Sequence, residues 1–151
     1  MNGRGEVGGV RWEVVAAALM LASATMPAHE LAAQSTRAER TNYAETSTHA
    51  DVLGFLDSLR KVAPGRFVRG TIGYSSAGRE LPFVIVSRPL VRAAAEARRT
   101  GKPIVYVQGN IHGGEVEGKE ALQALVRDLV LDPKRNALDS IILIAVPIYN
   151  A

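Results

Sequence analysis

Two apolar runs on either side of a helical pattern constrain the fold of this chain most. The runs Ile104–Gln108 and Ile141–Val146 are continuous rather than alternating, as in strands that are buried on both faces. Between them, from about Glu115 to Leu131, apolar residues recur at helical spacing. A strand, a helix and a strand of this length predict a crossover between parallel strands. The predicted apolar stripe of the helix comprises Ala121, Leu122, Leu125, Val126, Leu129 and Val130.

Upstream of this unit the sequence predicts a helix, a β-hairpin and a second helix. Thr48 or Asp51 can cap the first helix, and Pro64-Gly65 ends it. Gly78 can adopt the positive φ that the hairpin turn requires, and Gly101 ends the second helix. The predicted bounds are Asp51–Lys61 for the first helix, Phe67–Tyr74 and Leu81–Ser87 for the two strands, and Val91–Arg99 for the second helix.

These elements predict an α/β fold, with a mixed, mostly parallel twisted sheet flanked by helices. The 151 residues suffice for one domain with its own core. Sites in such sheets lie at the carboxyl ends of the strands. His112 follows the first apolar run and Asn150 follows the second, so we expect their two loops to meet at one edge.

Composition excludes several classes of function. The net charge is +3, and the arginines are scattered rather than clustered with aromatic residues, which argues against nucleic-acid binding. The chain has no cysteine, so it has no disulfide, thiolate metal site or cysteine nucleophile.

The N-terminal residues predict export. Arginines precede a short apolar run and then small residues, as in a secretory signal peptide. Ala22-Ser23-Ala24 fits a cleavage site, with Ala28 and Ala33 as alternatives. The run is shorter than the roughly 20 residues of a membrane span, so no stable membrane anchor is expected. We therefore assign 1–33 to a signal peptide and leader, 34–45 to a linker and 46–151 to the folded domain, and expect a secreted or periplasmic protein.

The most informative segment is the histidine loop, which we define as Gly109–Glu115. His112 and Glu115 lie three residues apart where a loop turns into a helix, so their side chains can approach each other. An imidazole nitrogen and a carboxylate oxygen suit zinc. A helix N-terminus favours the anionic carboxylate that a metal ligand must be. The two residues alone are equally consistent with a loop histidine and a helix-starting acid, because His-x-x-Glu is common by chance.

The wider context resembles the zinc carboxypeptidase family, the carboxypeptidase A-like metallopeptidases. GNIHGGEVEGKEA is similar to the zinc-binding segment of that family, and GYSSAGRELPFVIVS to its early hairpin. DVLGFLDSLRK resembles the helix before the hairpin, and VPIYNA the strand that leads to its Asn-Pro-Asp-Gly turn. The matches occur in the family order over about Thr46 to Ala151.

This resemblance implies that His112 and Glu115 are two of three protein ligands to Zn²⁺, and that the substrate is a peptide or protein. The family's other ligand histidine and its general-base glutamate lie further downstream, so no catalytic residue is expected in this chain. His29 and His49 are the other two histidines, and we expect neither to reach the metal. Because the sequence stops directly after a core strand, we expect it to be the N-terminal portion of a longer domain, inactive alone.

Three positions depart from the family pattern. Gly114 stands where the best-known members carry a substrate-contacting arginine, Ala77 where glutamate is frequent, and Ala151 where proline is usual. The first departure leaves the substrate preference open. Arg79 matches the arginine of the hairpin motif, and we expect it to be a structural ion-pair donor.

Two other functions are compatible with the sequence. A zinc deacylase of the aspartoacylase or succinylglutamate desuccinylase type also uses a His-Gly-x-Glu segment on a related fold. The hairpin motif and the predicted export favour the carboxypeptidase. A non-catalytic relic that keeps the fold without a complete site is the second alternative.

Overall fold

The computed structural model describes residues 34–132, 134 and 137–151. The predicted signal peptide at 1–33 lies outside these residues. Within the described part, none of the helices has the length and apolar character that crossing a bilayer requires.

The predicted helices and strands are present, with small changes in their bounds. The capping box of α2 confirms the predicted start, because Thr48 and Asp51 bond each other's backbone N–H groups. Gly101, with φ of 68°, ends α3 as predicted, although the helix begins three residues after Val91. The elements are α1 (Arg37–Arg40), α2 (His49–Val62), β1 (Val68–Tyr74), β2 (Glu80–Val86), α3 (Ala94–Thr100), β3 (Ile104–Gln108), α4 (Glu117–Leu131), α5 (Ala137–Ser140) and β4 (Ile142–Val146).

The four strands form one mixed sheet in the order β1-β2-β4-β3. The hairpin β1–β2 is antiparallel, as predicted, and Gly78 in its turn has φ of 74°. β2 also runs antiparallel to β4. Within the described residues, parallel pairing is confined to β3 and β4, which the crossover through α4 connects, whereas the sequence predicted a mostly parallel sheet. The other two strands, β1 and β2, form the antiparallel hairpin, and β2 pairs antiparallel with β4, so the sheet has two antiparallel pairs and one parallel pair.

Helices cover both faces of this sheet. On one face, α2 and α4 bury Leu56 and Val126 against Val84 of β2 and Ala145 of β4. On the other, α3 packs Ala97 against strand residues of opposite parity, among them Ile142. The alternation follows from the two-residue period of a strand. The predicted arrangement of helices flanking a mixed sheet is therefore confirmed.

Two predicted burial patterns are wrong. The run in β3 was expected to be buried on both faces, but Ile104 and Tyr106 are 55% and 52% exposed, because β3 is the last strand of the described sheet. In α4, Leu125 of the predicted stripe is 36% exposed. The helix instead buries two polar residues, Lys119 and Gln123, because both hydrogen-bond to the segment before α2.

The segment 34–45, predicted as a linker, contains a one-turn helix and contacts the domain. The Gln34 side chain is buried and donates to Ser58 Oγ at 3.1 Å. The Arg127 guanidinium of α4 lies 2.6 Å from the Glu39 carboxylate. Burial raises the pKa of Glu39, but hydrogen bonds from Arg127 and Thr36 outweigh it and hold that pKa below its usual value. The polar composition of this segment reflects contacts with the domain rather than a free connection.

Candidate metal centre

The histidine loop sits at the carboxyl edge of the sheet, where the two predicted loops meet. Gly109 N–H donates to Val146 O at 2.9 Å, and Tyr149 N–H donates to Gly109 O at 3.2 Å. The Asn150 amide group donates to Ile111 O at 3.2 Å. The prediction that the loops after β3 and β4 converge is therefore confirmed. The exit of β4 holds the base of the histidine loop in place.

Close backbone packing sets the distance between this loop and α4. A β-carbon at Gly109 would lie 2.7 Å from the carbonyl carbon of Gly118. Only glycine permits this approach of strand end to helix. The first turn of α4 consequently lies directly against the loop that precedes it.

His112 and Glu115 face each other. His112 Nδ1 lies 2.9 Å from Glu115 Oε1, in a geometry that lets the imidazole donate to the carboxylate. Glu115 N–H also donates to His112 O at 2.9 Å, which closes the turn between the two residues. The side chains are 77% and 63% exposed, so a dissolved ion can reach both. The predicted proximity of the pair is therefore present.

The donor chemistry fits zinc. Two donor atoms of a tetrahedral zinc lie about 3.3 Å apart, given bonds of about 2.0–2.1 Å. The separation of 2.9 Å between His112 Nδ1 and Glu115 Oε1 is that of a direct hydrogen bond, so the two atoms would move apart by about 0.4 Å to hold the ion, and the pair is too exposed for packing to block this. The pair supplies two ligands, whereas a catalytic zinc takes three from the protein. In the described part of the chain, no group of three histidine or acidic side chains could hold a metal.

The other histidine in the described residues is engaged elsewhere. His49 Nε2 lies 2.7 Å from Glu80 O, at the start of β2. This agrees with the expectation that His49 does not reach the metal. His29 lies outside the described residues. Arg79, expected to be a structural ion-pair donor, is exposed, and the neighbouring Arg69 lies 3.1 Å from the Glu80 carboxylate.

Asn110 is a residue of the loop that sequence reasoning missed. It is 6% exposed and has φ of 55°, a conformation that few residues other than glycine adopt. Its side-chain Nδ2 lies 3.1 Å from His112 O, 3.3 Å from Gly113 O and 3.4 Å from Glu115 O. The available signal was its place directly after a glycine and two residues before the histidine, because asparagine is enriched at positive φ.

Acidic residues next to the pair have different environments. Glu117 is exposed on the first turn of α4. Glu120 accepts hydrogen bonds from Thr46 Oγ1, Ser47 N and Ser47 Oγ at 2.7, 2.5 and 2.9 Å. A groove of about 650 Å³ between α4 and the segment before α2 is lined by both glutamates, but by neither His112 nor Glu115. The groove is therefore separate from the metal pair.

The family is decided by a match that spans 100 of the 151 residues. The model for the family described as "Zinc carboxypeptidase" matches residues 52–151, which include the histidine loop and every strand of the sheet. The chain belongs to the zinc carboxypeptidase family. This agrees with the resemblance of its motifs, and the family match favours the carboxypeptidase over the deacylase alternative.

Solved structures that include a carboxypeptidase A share the fold. Carboxypeptidase A from Helicoverpa armigera superposes with a TM-score of 0.56 at 20% identity, over 80% of this chain and 31% of that one. Thrombin activatable fibrinolysis inhibitor gives 0.58 at 16% identity, over 72% and 26%. The bovine form of that inhibitor, in complex with tick carboxypeptidase inhibitor, gives 0.57 at 15%, over 71% and 32%. No curated protein sequence matches the chain. The chain thus covers less than a third of each of these structures.

Proposed function

We propose that this chain carries one half of the metal site of a zinc metallocarboxypeptidase, with His112 and Glu115 as two of three protein ligands. The observation that carries the proposal is the 2.9 Å approach of His112 Nδ1 to Glu115 Oε1 at the carboxyl edge of the sheet. Family membership supports zinc as the ion. The third ligand and a general-base glutamate are expected outside this chain.

In this role the chain's residues bind and orient the metal rather than transfer protons. Zinc bound there supplies Lewis acidity toward a peptide carbonyl and an acidified water. The imidazole and the carboxylate would hold the ion just before the first turn of α4, where both side chains are mostly exposed and a peptide can approach. Because two ligands hold zinc weakly and the base is missing, we expect no peptidase activity from the chain alone. Zinc-dependent peptide hydrolysis by the isolated chain would contradict this.

The proposed substrate is a peptide or protein. The sequence does not determine which side chain the enzyme prefers at the cleaved residue. Gly114 places no side chain between the two ligands, where the best-known family members carry a substrate-contacting arginine, so that substrate contact is lost here. The residues that bind a terminal carboxylate are expected outside this chain. In the full-length enzyme, we expect hydrolysis of peptides with a free C-terminus. Equal cleavage of C-terminally amidated peptides excludes carboxypeptidase specificity, and cleavage restricted to N-acyl amino acids supports the deacylase. Export to the periplasm or the exterior, based on the predicted signal peptide, belongs to the same proposal.

A zinc titration tests the metal site. NMR spectra of the imidazoles report each histidine separately, so His49, which bonds to Glu80 O, is an internal control. We expect zinc to shift the signals of His112 and not those of His49, and Glu115→Ala to weaken binding at least tenfold. Glu117→Ala is the matched control, because Glu117 is an exposed acid two positions further along. A zinc-independent His112 signal excludes the half-site and favours a non-catalytic relic of the fold.

A further inference from the structure

We propose that Asn110 is a positioning residue for the metal pair, an inference that rests on the proposed zinc half-site. Its side-chain amide lies within hydrogen-bonding distance of the carbonyl groups of both ligand residues, His112 and Glu115. It also lies 3.3 Å from Gly113 O, between them. The amide nitrogen has two hydrogens and faces three backbone carbonyl oxygens, so the three carbonyls share its hydrogens. Asn110 itself is buried.

The backbone of Asn110 is bonded to the loop that follows β4. Asn150 N–H, four residues past the end of that strand, donates to Asn110 O at 2.9 Å. The preceding Gly109 is packed against Gly118 of α4. The backbone of Asn110 is therefore held by the loop after β4 and follows a residue packed against α4, while its side chain bonds to the carbonyl groups of the exposed part of the loop. This arrangement connects the ligand residues to the rigid part of the molecule.

Other bonds restrain the loop at Ile111 O, which accepts from the Asn150 amide, and at His112 O, which accepts from Glu115 N–H, but the segment between the two ligands is rich in glycine. Gly113 and Gly114 separate the two ligands, and glycine has the largest conformational freedom to lose on ordering. Both ligand side chains are mostly exposed, so core packing does not orient them. A site whose ligands are already oriented binds its ion more tightly, since less entropy is lost on binding.

The competing explanation is that Asn110 serves only as a left-handed turn residue. Glycine distinguishes the two roles, because Asn110→Gly keeps the backbone conformation and removes the amide. Asn110→Asp keeps the shape but directs carboxylate oxygens at three carbonyls. Asn42 is the matched control: its φ is 52°, close to that of Asn110, but it is exposed and lies outside the histidine loop.

The test combines zinc affinity with hydrogen exchange in the metal-free 151-residue chain. We expect Asn110→Gly to weaken zinc binding about 10–100-fold, the usual effect of losing a group that orients metal ligands. Asn110→Asp should weaken it at least as much. Without metal, exchange of the Glu115 amide, which donates to His112 O, should accelerate about fivefold in Asn110→Gly, as for one lost hydrogen bond. Asn42→Gly should change neither quantity.

The outcomes separate this inference from the proposed function. If wild-type chain binds zinc at His112 and Asn110→Gly binds equally tightly, the positioning role is wrong and the half-site stands. If zinc does not bind at His112, the half-site is wrong. The exchange measurement then still decides whether Asn110 holds the loop, because an unchanged Glu115 amide rate in Asn110→Gly contradicts it.

Discussion

Two glutamates near the start of α4 show how the same residue type acquires different surroundings within five positions. Glu115 is 63% exposed and faces His112, with oxygen lone pairs left for a metal. Glu120 accepts three hydrogen bonds from Thr46 and Ser47, which arrive from the segment before α2. Both lie near the positive end of the helix dipole, so the dipole does not distinguish them. The difference comes from what the fold places opposite each carboxylate.

The first prediction tests whether Glu120 is structural, and it carries the largest effect on stability. Glu120→Ala leaves Ser47 N and Ser47 Oγ, in a residue that is 1% exposed, without their acceptor. We expect the free energy of unfolding to fall by about 3 kcal/mol, since hydrogen bonds to charged groups contribute about 1.5–3 kcal/mol each and are not additive. Urea denaturation followed by circular dichroism measures the change.

Glu117→Ala is the control for this variant, because Glu117 is an exposed acid on the same helical turn. It should change the free energy of unfolding by less than about 0.5 kcal/mol. Equal destabilisation by the two substitutions would show that helix-terminal charge, rather than the bonds to Ser47, accounts for the effect.

Asp51 extends the comparison to α2 and adds a pH dependence. Its carboxylate accepts from Thr48 Oγ1 at 2.6 Å and Thr48 N at 2.8 Å, and lies 3.2 Å from the Arg37 guanidinium. The hydrogen bonds from Thr48, with a smaller contribution from Arg37, hold the pKa of Asp51 below its usual value. A lowered carboxylate pKa stabilises the fold above the unfolded value of about 3.9, and this contribution is lost as the pH falls through the folded pKa.

We therefore expect Asp51→Asn to reduce the free energy of unfolding by about 1 kcal/mol at pH 7, a typical effect of losing a helix cap. The difference from wild type should shrink as the pH is lowered below about 4. Denaturant titrations at pH 7 and pH 3 provide the comparison. A difference that is as large at pH 3 as at pH 7 would show that the carboxylate charge does not stabilise this cap.

The sequence predicted most helices and strands, but it did not predict which of their residues are buried. Helical spacing and the capping residues placed α2, and turn chemistry at Gly78 placed the hairpin, because these signals are local. The exposure of Tyr106 depends on whether another strand follows β3, which a local run of apolar residues does not encode. The burial of Lys119 depends on Ser47, more than seventy positions away, so the helical period alone could not predict it.

In the candidate metal centre too, local sequence signals predicted some features, whereas others depend on contacts in the folded chain. The spacing of His112 and Glu115 predicted their approach, because residues three apart on a turn are neighbours. The role of Asn110 depends on three carbonyl groups that converge on one amide, a three-dimensional arrangement with no sequence period. Likewise, the hydrogen bonds to Glu120 have no sequence signal, because Thr46 and Ser47 lie more than seventy positions away and meet it only in the folded chain.

The smallest expected effect on stability, and the one that completes the comparison, is at Glu115. Glu115→Gln keeps the side-chain shape and removes the charge from a group that is 63% exposed, so the free energy of unfolding should change by less than about 0.5 kcal/mol. Zinc binding should nevertheless be lost, since a neutral amide is a poor zinc ligand. Thermal unfolding with and without zinc measures both properties, because a ligand stabilises only the state that binds it. Zinc should raise the thermal stability of wild type and not that of Glu115→Gln. If Glu115→Gln is much less stable than wild type without metal, Glu115 stabilises the fold as Glu120 does.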